Sequence, residues 1–319
     1  MPQSEQVQAI LARGAITAQD VRDLRHRVFW KGVVTEDDAE VVFLLNDRFA
    51  HTADPTWSAF FVEALTDYLV VQAQPRGYIS DENAVWLIAR IARSGRIDTQ
   101  NELELLVRIL ERAQRSPVDL IRFALEQVKR GVILGEGCIG RCHIGALGIV
   151  EAHETELVRR MLYAFGGDAN IAVTQPEAEV LFDINDATCQ VSNHPSWSDL
   201  YVKALANFMM AASGYQVPCR QEALRREAWL DSPTEGIPGF MSRMLSGGLN
   251  SIWQAYTPTA PVERSREPRI TAQEAHWAAS RIGRDGRLHE NEMALINFLK
   301  SHNTHLHPQL LPVLDRIAA

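Results

Sequence analysis

The chain has 319 residues and a formal net charge of −8, with 32 Lys and Arg against 40 Asp and Glu. Hydrophobic residues make up 46% and charged residues 23%, a globular composition that argues against a disordered chain, and the length favours two domains over a single core. The acidic balance argues against a nucleic-acid partner, because no general basic field is present to hold phosphates.

The sequence carries no targeting or membrane-spanning pattern. Its first residues do not combine a basic start with an apolar run, so a secretory signal is not predicted. No stretch approaches the roughly 18 uncharged apolar residues of a membrane span. The 4 cysteines are too few for a disulfide framework in a chain of 319 residues. We therefore expect a cytoplasmic protein with reduced thiols.

Helical hairpins are predicted at four places along the chain. They begin at residues 16–17, at 79–80, near 150 and at 270–271, and they turn at residues 32–35, 95–98, 171–174 and 286–289. In this unit a Ser or Thr caps the first helix, a Gly ends it, an apolar residue fills the turn and a polar residue caps the second helix. Alternating strand patterns are scarce, so the predicted fold is all-α.

Three sequence blocks of the first half recur in the same order in the second half. Residues 35–47 match 174–186, residues 55–70 match 195–210, and residues 79–95 match 270–286. This pattern predicts a tandem duplication of a helical domain, roughly 15–130 and 149–318, in which each half has two helix-turn-helix hairpins plus connecting helices. The offset between the copies rises from 140 to 191 residues, which places an insertion of 51 residues at about 215–268.

The duplication suggests a division of the chain into three parts. The first half is predicted at 1–130, a Gly-rich linker between the repeats at 131–148, and the second half with its insertion at 149–319. Between the hairpins, each half has a helix with one apolar stripe, which we expect to lie in the core. The two stripes are Trp57, Phe61, Leu65, Tyr68 and Leu69 in the first half and Trp197, Tyr201, Leu205, Phe208 and Met209 in the second.

The fourth hairpin turn reads DGRLHENE over residues 285–292. This string resembles the EF-hand loop, and it is similar to the turn of the tellurite-resistance TerB-like domains, in which D-G-x-[IV]-x-x-x-E joins two helices. The resemblance implies divalent-metal binding at the turns, through Asp285 and Glu292 in the fourth hairpin. In the third hairpin Asp168, Asn170 and Glu179 stand at relative positions 1, 3 and 12 of such a loop.

The calcium-type interpretation competes with a purely structural one. A calcium loop needs oxygen donors at positions 1, 3 and 5, a Gly at 6 and a bidentate Glu at 12. With Gly286 at position 6, Arg281 falls at position 1 and Gly283 at position 3, so only Asp285 and Glu292 fit. The alternative is a degenerate hairpin that is retained for its shape. Apart from a divalent cation at these turns, no cofactor is predicted.

Three further motifs carry alternative chemistry. The string GEGCIG at 135–140 matches G-x-G-x-x-G, but no parallel strands accompany it, so we interpret it as a flexible joint between the repeats. Cys138, Cys142 and His143 are candidates for a thiol–imidazole site at the junction of the halves. The histidines at 302, 305 and 307 have a spacing that suits zinc or copper, although a polar loop explains them as well.

The insertion contains an apolar segment with helical spacing between two loop-like stretches. Such a segment can fold onto its own bundle, dock on another protein or touch a membrane surface. Its apolar residues, the candidates for partner binding, are Phe240, Met241, Met244, Leu245, Leu249, Ile252 and Trp253.

These features favour a non-enzymatic helical repeat protein that acts as a protein-interaction or scaffold module. Its unidentified protein partner is expected to use the groove between the halves and the inserted segment. One alternative is a divalent-metal responder that uses the EF-hand-like or TerB-like turns. Another is an enzyme with the Cys/His site at the junction of the halves.

Overall fold

The computed structural model describes residues 5–29, 34–142, 147–164, 173–210, 271–301 and 307–314. Over these ranges the secondary structure is helical and contains no β-strand; an isolated bridge joins Tyr78 to Arg115. The all-α prediction is therefore confirmed for the described part of the chain. None of the helices described is both long enough and apolar enough to cross a membrane.

The chain divides into two compact units that differ in their boundaries from the predicted halves. Unit 1 comprises Met1–Ile144 and Arg160–Gly167, and unit 2 comprises Gly145–Arg159 and Asp168–Ala319. The division therefore falls inside the predicted linker at 131–148 and again inside a helix, α9 (Ala152–Tyr163).

Unit 1 is built around one central helix. This helix, α4 (Thr56–Thr66), is packed against α2 (Ala18–Phe29), α3 (Glu36–Phe49) and α6 (Gln100–Arg112), and a π-helical turn (Asp67–Gln72) extends it. The other helices of the unit are α1 (Glu5–Arg13), α5 (Asp81–Ile91), α7 (Val118–Leu134) and α8 (Gly137–Cys142).

Unit 2 has a comparable central helix, α11 (Pro195–Met210), which packs against α10 (Gln175–Thr188) and α13 (Glu290–Ser301). A short 3₁₀ turn (Pro308–Leu310) packs against α12 (Ala272–Arg281) and leads into the last described helix, α14 (Leu311–Leu314).

The predicted capping and turn residues of the second hairpin take the expected positions. The Ser80 hydroxyl accepts a hydrogen bond from the Asn83 backbone N–H at 3.1 Å and so caps α5. Gly95 has φ +77°, a conformation that glycine adopts without steric cost, and Ile97 in the turn is buried. Thr99 and Glu102 form a reciprocal capping box at the start of α6.

The structure differs from the prediction at the Gly-rich segment, because residues 131–142 are the end of α7 and helix α8 rather than a flexible joint. Gly135 ends α7 with φ +67°, and the chain then turns so that α8 packs against α7. A Cβ on Gly140 would lie 2.1 Å from the carbonyl carbon of Gly135, and one on Gly131 would lie 2.6 Å from Cγ2 of Ile139. The glycines are therefore required by the close approach of two helices.

Alanine at position 140 should destabilise the corner, that is, the tight turn at which α8 packs against the end of α7. The new Cβ meets backbone atoms that cannot rotate away, so Gly140→Ala is expected to lower the free energy of unfolding by about 2 kcal/mol. Gly14→Ala is the matched control, since a Cβ there meets nothing within 4 Å and only the φ of +79° is strained; we expect about 1 kcal/mol. Urea unfolding followed by circular dichroism measures both. A Gly140→Ala variant as stable as the parent would show a looser corner.

Candidate functional site

A cluster of aromatic rings forms the centre of unit 1. The ring of Phe43 on α3 meets Phe61 and Trp86 edge to face, with ring centroids 5.6 Å away in each case. Trp57 is 1% exposed, and Phe61, Leu65 and Leu69 of the predicted stripe are also buried. Four of the five stripe residues therefore lie in the core, as predicted, whereas Tyr68 is half-buried.

Unit 2 contains a cluster of the same kind. The ring of Phe182 on α10 meets Tyr201 and Trp277 edge to face, with centroid distances of 6.0 and 5.9 Å. All five stripe residues of α11 are buried, and Trp197 is 0% exposed. The prediction that this second stripe lies in the core is confirmed as well.

An asparagine pair accompanies the aromatic cluster in each unit. In unit 1 the Oδ1 atom of Asn46 accepts hydrogen bonds from Asn101 Nδ2 at 2.8 Å and from Trp57 Nε1 at 3.2 Å. In unit 2 Asn291 Nδ2 donates to Asn185 Oδ1 at 2.7 Å. Trp197 Nε1 and the Tyr201 hydroxyl are buried there without a hydrogen-bond partner among the described residues.

A groove opens on the surface of unit 1 between α3 and α5. It has a volume of about 290 Å³ and combines apolar and charged side chains. Arg90 on α5 pairs with Glu40, and Arg93 pairs with Asp47, both on α3. The two arginine side chains remain 33% and 58% exposed. The lining residues are Glu40, Val41, Phe43, Leu44, Asp47, Arg90 and Arg93.

Unit 2 arranges the corresponding helices, α10 and α12, around a buried arginine. Arg281 is only 6% exposed and lies 5.4 Å above the ring centroid of Phe182. Its Nη1 donates to Glu179 at 2.8 Å, and its Nη2 donates to Asp183 at 2.8 Å and to Asp186 at 3.1 Å. Burial raises the pKa of Asp186, against the lowering effect of the Arg281 charge.

Neither Arg90 nor Arg281 is among the site residues predicted from the sequence. A signal was available, because Arg90 and Arg281 stand at matching positions of one repeated block, and Glu40 and Glu179 stand at matching positions of another. The partnership needs two helices that are far apart in sequence, and no local pattern reveals which side chains of those helices meet.

The acidic residues predicted as metal ligands are engaged within the chain. Glu179 pairs with Arg281. The two carboxylate oxygens of Glu292, which is 2% exposed, accept the backbone N–H of Gly283 at 2.7 Å and of His289 at 2.9 Å. Asp285 lies 2.7 Å from His289 Nε2, and this contact lowers the pKa of its carboxyl group. Asp168 and Asn170 lie outside the described residues.

A different trio has the composition of a metal site. Side-chain atoms of Glu151, His153 and Glu154 lie within 4.8 Å of one another at the start of α9. Glu154 accepts the backbone N–H of Glu151 at 2.9 Å and lies 3.0 Å from His153 Nε2. The hydrogen bond from the Glu151 N–H caps the first turn of the helix, so Glu154 already has a structural role.

The other candidate residues are only partly described. Cys138 is buried in α8, and its backbone N–H donates to Ile97 O at 2.9 Å. The side chain of Cys142 and all of His143 lie outside the described residues, as do residues 302 and 305. His307 caps the 3₁₀ turn by accepting the N–H of Gln309 at 3.3 Å. The apolar residues of the insertion, from Phe240 to Trp253, are also outside the described part.

Comparisons with protein-family models, with curated proteins and with solved structures found no match.

Proposed function

We propose that the chain is a tandem duplication of one helical unit and that it acts as a non-enzymatic protein-interaction module. The duplication is supported by contacts that recur between matching residues. The Arg90–Glu40 pair corresponds to Arg281–Glu179, and the arginines and glutamates are offset by 191 and 139 residues. The edge-to-face ring cluster and the asparagine pair recur in the same way.

The capping residues refine the correspondence between the hairpin turns. Glu102 accepts the backbone N–H of Thr99 at 3.0 Å, and Glu292 accepts that of His289 at 2.9 Å. The two capping glutamates are 190 residues apart in the sequence, and so are Thr99 and His289. The glycines of the two turns, Gly95 and Gly286, are 191 residues apart. The turn of the fourth hairpin is therefore one residue shorter than that of the second, a local change that a duplicated hairpin tolerates without loss of its cap.

The observation that carries the binding role is the difference between the two units at one surface. Their buried rings and asparagines are alike, but unit 1 keeps an open groove where unit 2 has a buried arginine with three carboxylates. Residues of a core are constrained by packing, while a surface that differs within a shared framework is available for binding. The groove of unit 1 is the surface that we assign to a partner.

The divalent-metal alternative has less support in the contacts. An EF-hand uses the Glu at position 12 to bind the ion and so close the loop. Here Glu292 closes the turn itself, through backbone N–H groups on both sides of it. A cation would compete with these hydrogen bonds for the same two oxygens. The Cys/His enzyme alternative has one described thiol, and that thiol, Cys138, is buried.

Quantitative capture from a lysate of the source cells tests the proposed function. The full chain is immobilised as the parent protein, as Leu44→Trp, which fills the groove, and as Val85→Ser. Val85 lies on α5 but outside the groove lining and is 68% exposed. We expect at least one protein to be recovered about tenfold less with Leu44→Trp than with the other two baits. Equal recovery of every protein by all three baits would contradict the binding role of the groove.

A further inference from the structure

The groove of unit 1 holds two arginines with more hydrogen-bonding capacity than their partners use. Arg90 donates to Glu40 and Arg93 donates to Asp47, and these are their only side-chain acceptors among the residues that the structure describes. A guanidinium is a planar fork whose N–H groups can hold a carboxylate through two parallel bonds. Because both side chains are partly exposed, donors remain accessible to a ligand in the groove.

Unit 2 demonstrates how an additional carboxylate reaches an arginine at this position. Asp183 matches Leu44, since both residues lie in the same repeated block at an offset of 139. Its carboxylate bonds to Arg281 Nη2 at 2.8 Å, beside the bonds to the other two acids. In unit 1 the apolar side chain of Leu44 stands at this position, so Arg90 lacks the acid that Asp183 supplies to Arg281, and the space beside it stays open.

The charges of the two sites differ by the same carboxylate. The site in unit 1 has two arginines, Arg90 and Arg93, and two acids. The matching residues of unit 2 are Arg281 and Arg284 with three acids, which leaves one more negative charge. Binding one carboxylate would therefore give the groove of unit 1 the same net charge as the arginine site of unit 2.

We propose that the groove of unit 1 binds the side-chain carboxylate of an acidic segment of a partner protein, held by Arg90 and Arg93 in the way that Arg281 holds Asp183. This inference rests on the proposed function and specifies its chemistry. Unit 2 indicates a carboxylate as the ligand, because the group that binds Arg281 at the matching position is the carboxylate of Asp183. The apolar lining from Val41, Phe43 and Leu44 suits the methylene groups and neighbouring side chains of a peptide.

Nuclear magnetic resonance of the arginine Nε–H groups in the full chain tests this directly. The probes are two blocked pentapeptides that differ only in a central glutamate or glutamine between leucines. The Arg90 and Arg93 signals are assigned with Arg90→Lys and Arg93→Lys variants. We expect the glutamate peptide to shift both signals at about 1 mM and the glutamine peptide to bind about tenfold more weakly.

A variant that supplies its own carboxylate completes the test. Leu44→Asp places the acid of unit 2 into unit 1, so we expect it to reduce binding of the glutamate peptide about tenfold, while Val85→Ser binds like the parent. Equal binding of the two peptides, or no shift at about 10 mM peptide, would overturn the inference. If the captured protein is still lost with Leu44→Trp, the groove binds a partner by other chemistry and the proposed function stands.

Discussion

Replacing Arg281 with alanine is expected to lower the free energy of unfolding by about 3 kcal/mol. The side chain is 6% exposed and holds three carboxylates that would be left beside one another without a counter-charge. Because those carboxylates are themselves about one-third exposed or more, water would screen part of their repulsion, and we place the loss at the lower end for a buried ion pair. Urea unfolding of the full chain measures the change.

The matched control is Arg90→Ala, at the corresponding position of unit 1. Arg90 is 33% exposed and has one carboxylate partner, so its removal should cost at most about 1 kcal/mol. Hydrogen exchange measured by peptide then assigns each loss to a unit, with faster exchange in α10 and α12 for Arg281→Ala. Equal losses for the two variants would mean that the buried network does not contribute more than an exposed pair.

Raising the pH from about 4.5 to 7 is expected to destabilise unit 2 through Glu177. This residue is 5% exposed at the start of α10, and burial raises the pKa of its carboxyl group from 4.5 to about 7, against the lowering effect of the hydrogen bond from the Thr174 N–H. Between these two pKa values the folded chain keeps the proton while the unfolded chain releases it. Stability therefore falls as the pH rises through this window, by about 3 kcal/mol in total.

Glu177→Gln should remove this dependence on pH. Glutamine can still accept the N–H of Thr174 and has no charge to bury, so the variant is expected to be about 3 kcal/mol more stable than the parent at pH 8 and equal to it at pH 4. Glu274→Gln is the control, because Glu274 makes the same capping bond to Thr271 in an exposed setting. If Glu177→Gln and the parent lose stability in parallel between pH 4 and 8, another group controls the dependence.

Local sequence signals predicted the hairpins because their causes lie within a few residues. Ser80 caps α5 through the N–H three residues later, and Gly95 takes a positive φ within its own turn. Trp57, Phe61 and Leu65 follow the helical period along α4, and all three are buried. The glycines of residues 131–142 predict a flexible joint and a tight corner equally well, because glycine is typical of both. Only the closeness of Ile139 to Gly131 reveals the corner.

The sequence by itself determined the all-α class, the positions of the caps and turns, and the two apolar stripes, since hydrogen bonds between near neighbours and a period of 3.6 residues fix them. The tertiary structure decided which charged groups meet. Glu179 became a partner of Arg281, and Glu292 became a clamp on the turn that holds His289. These outcomes depend on how helices distant in sequence pack, so the same acidic residue could be interpreted as a metal ligand until its neighbours were known.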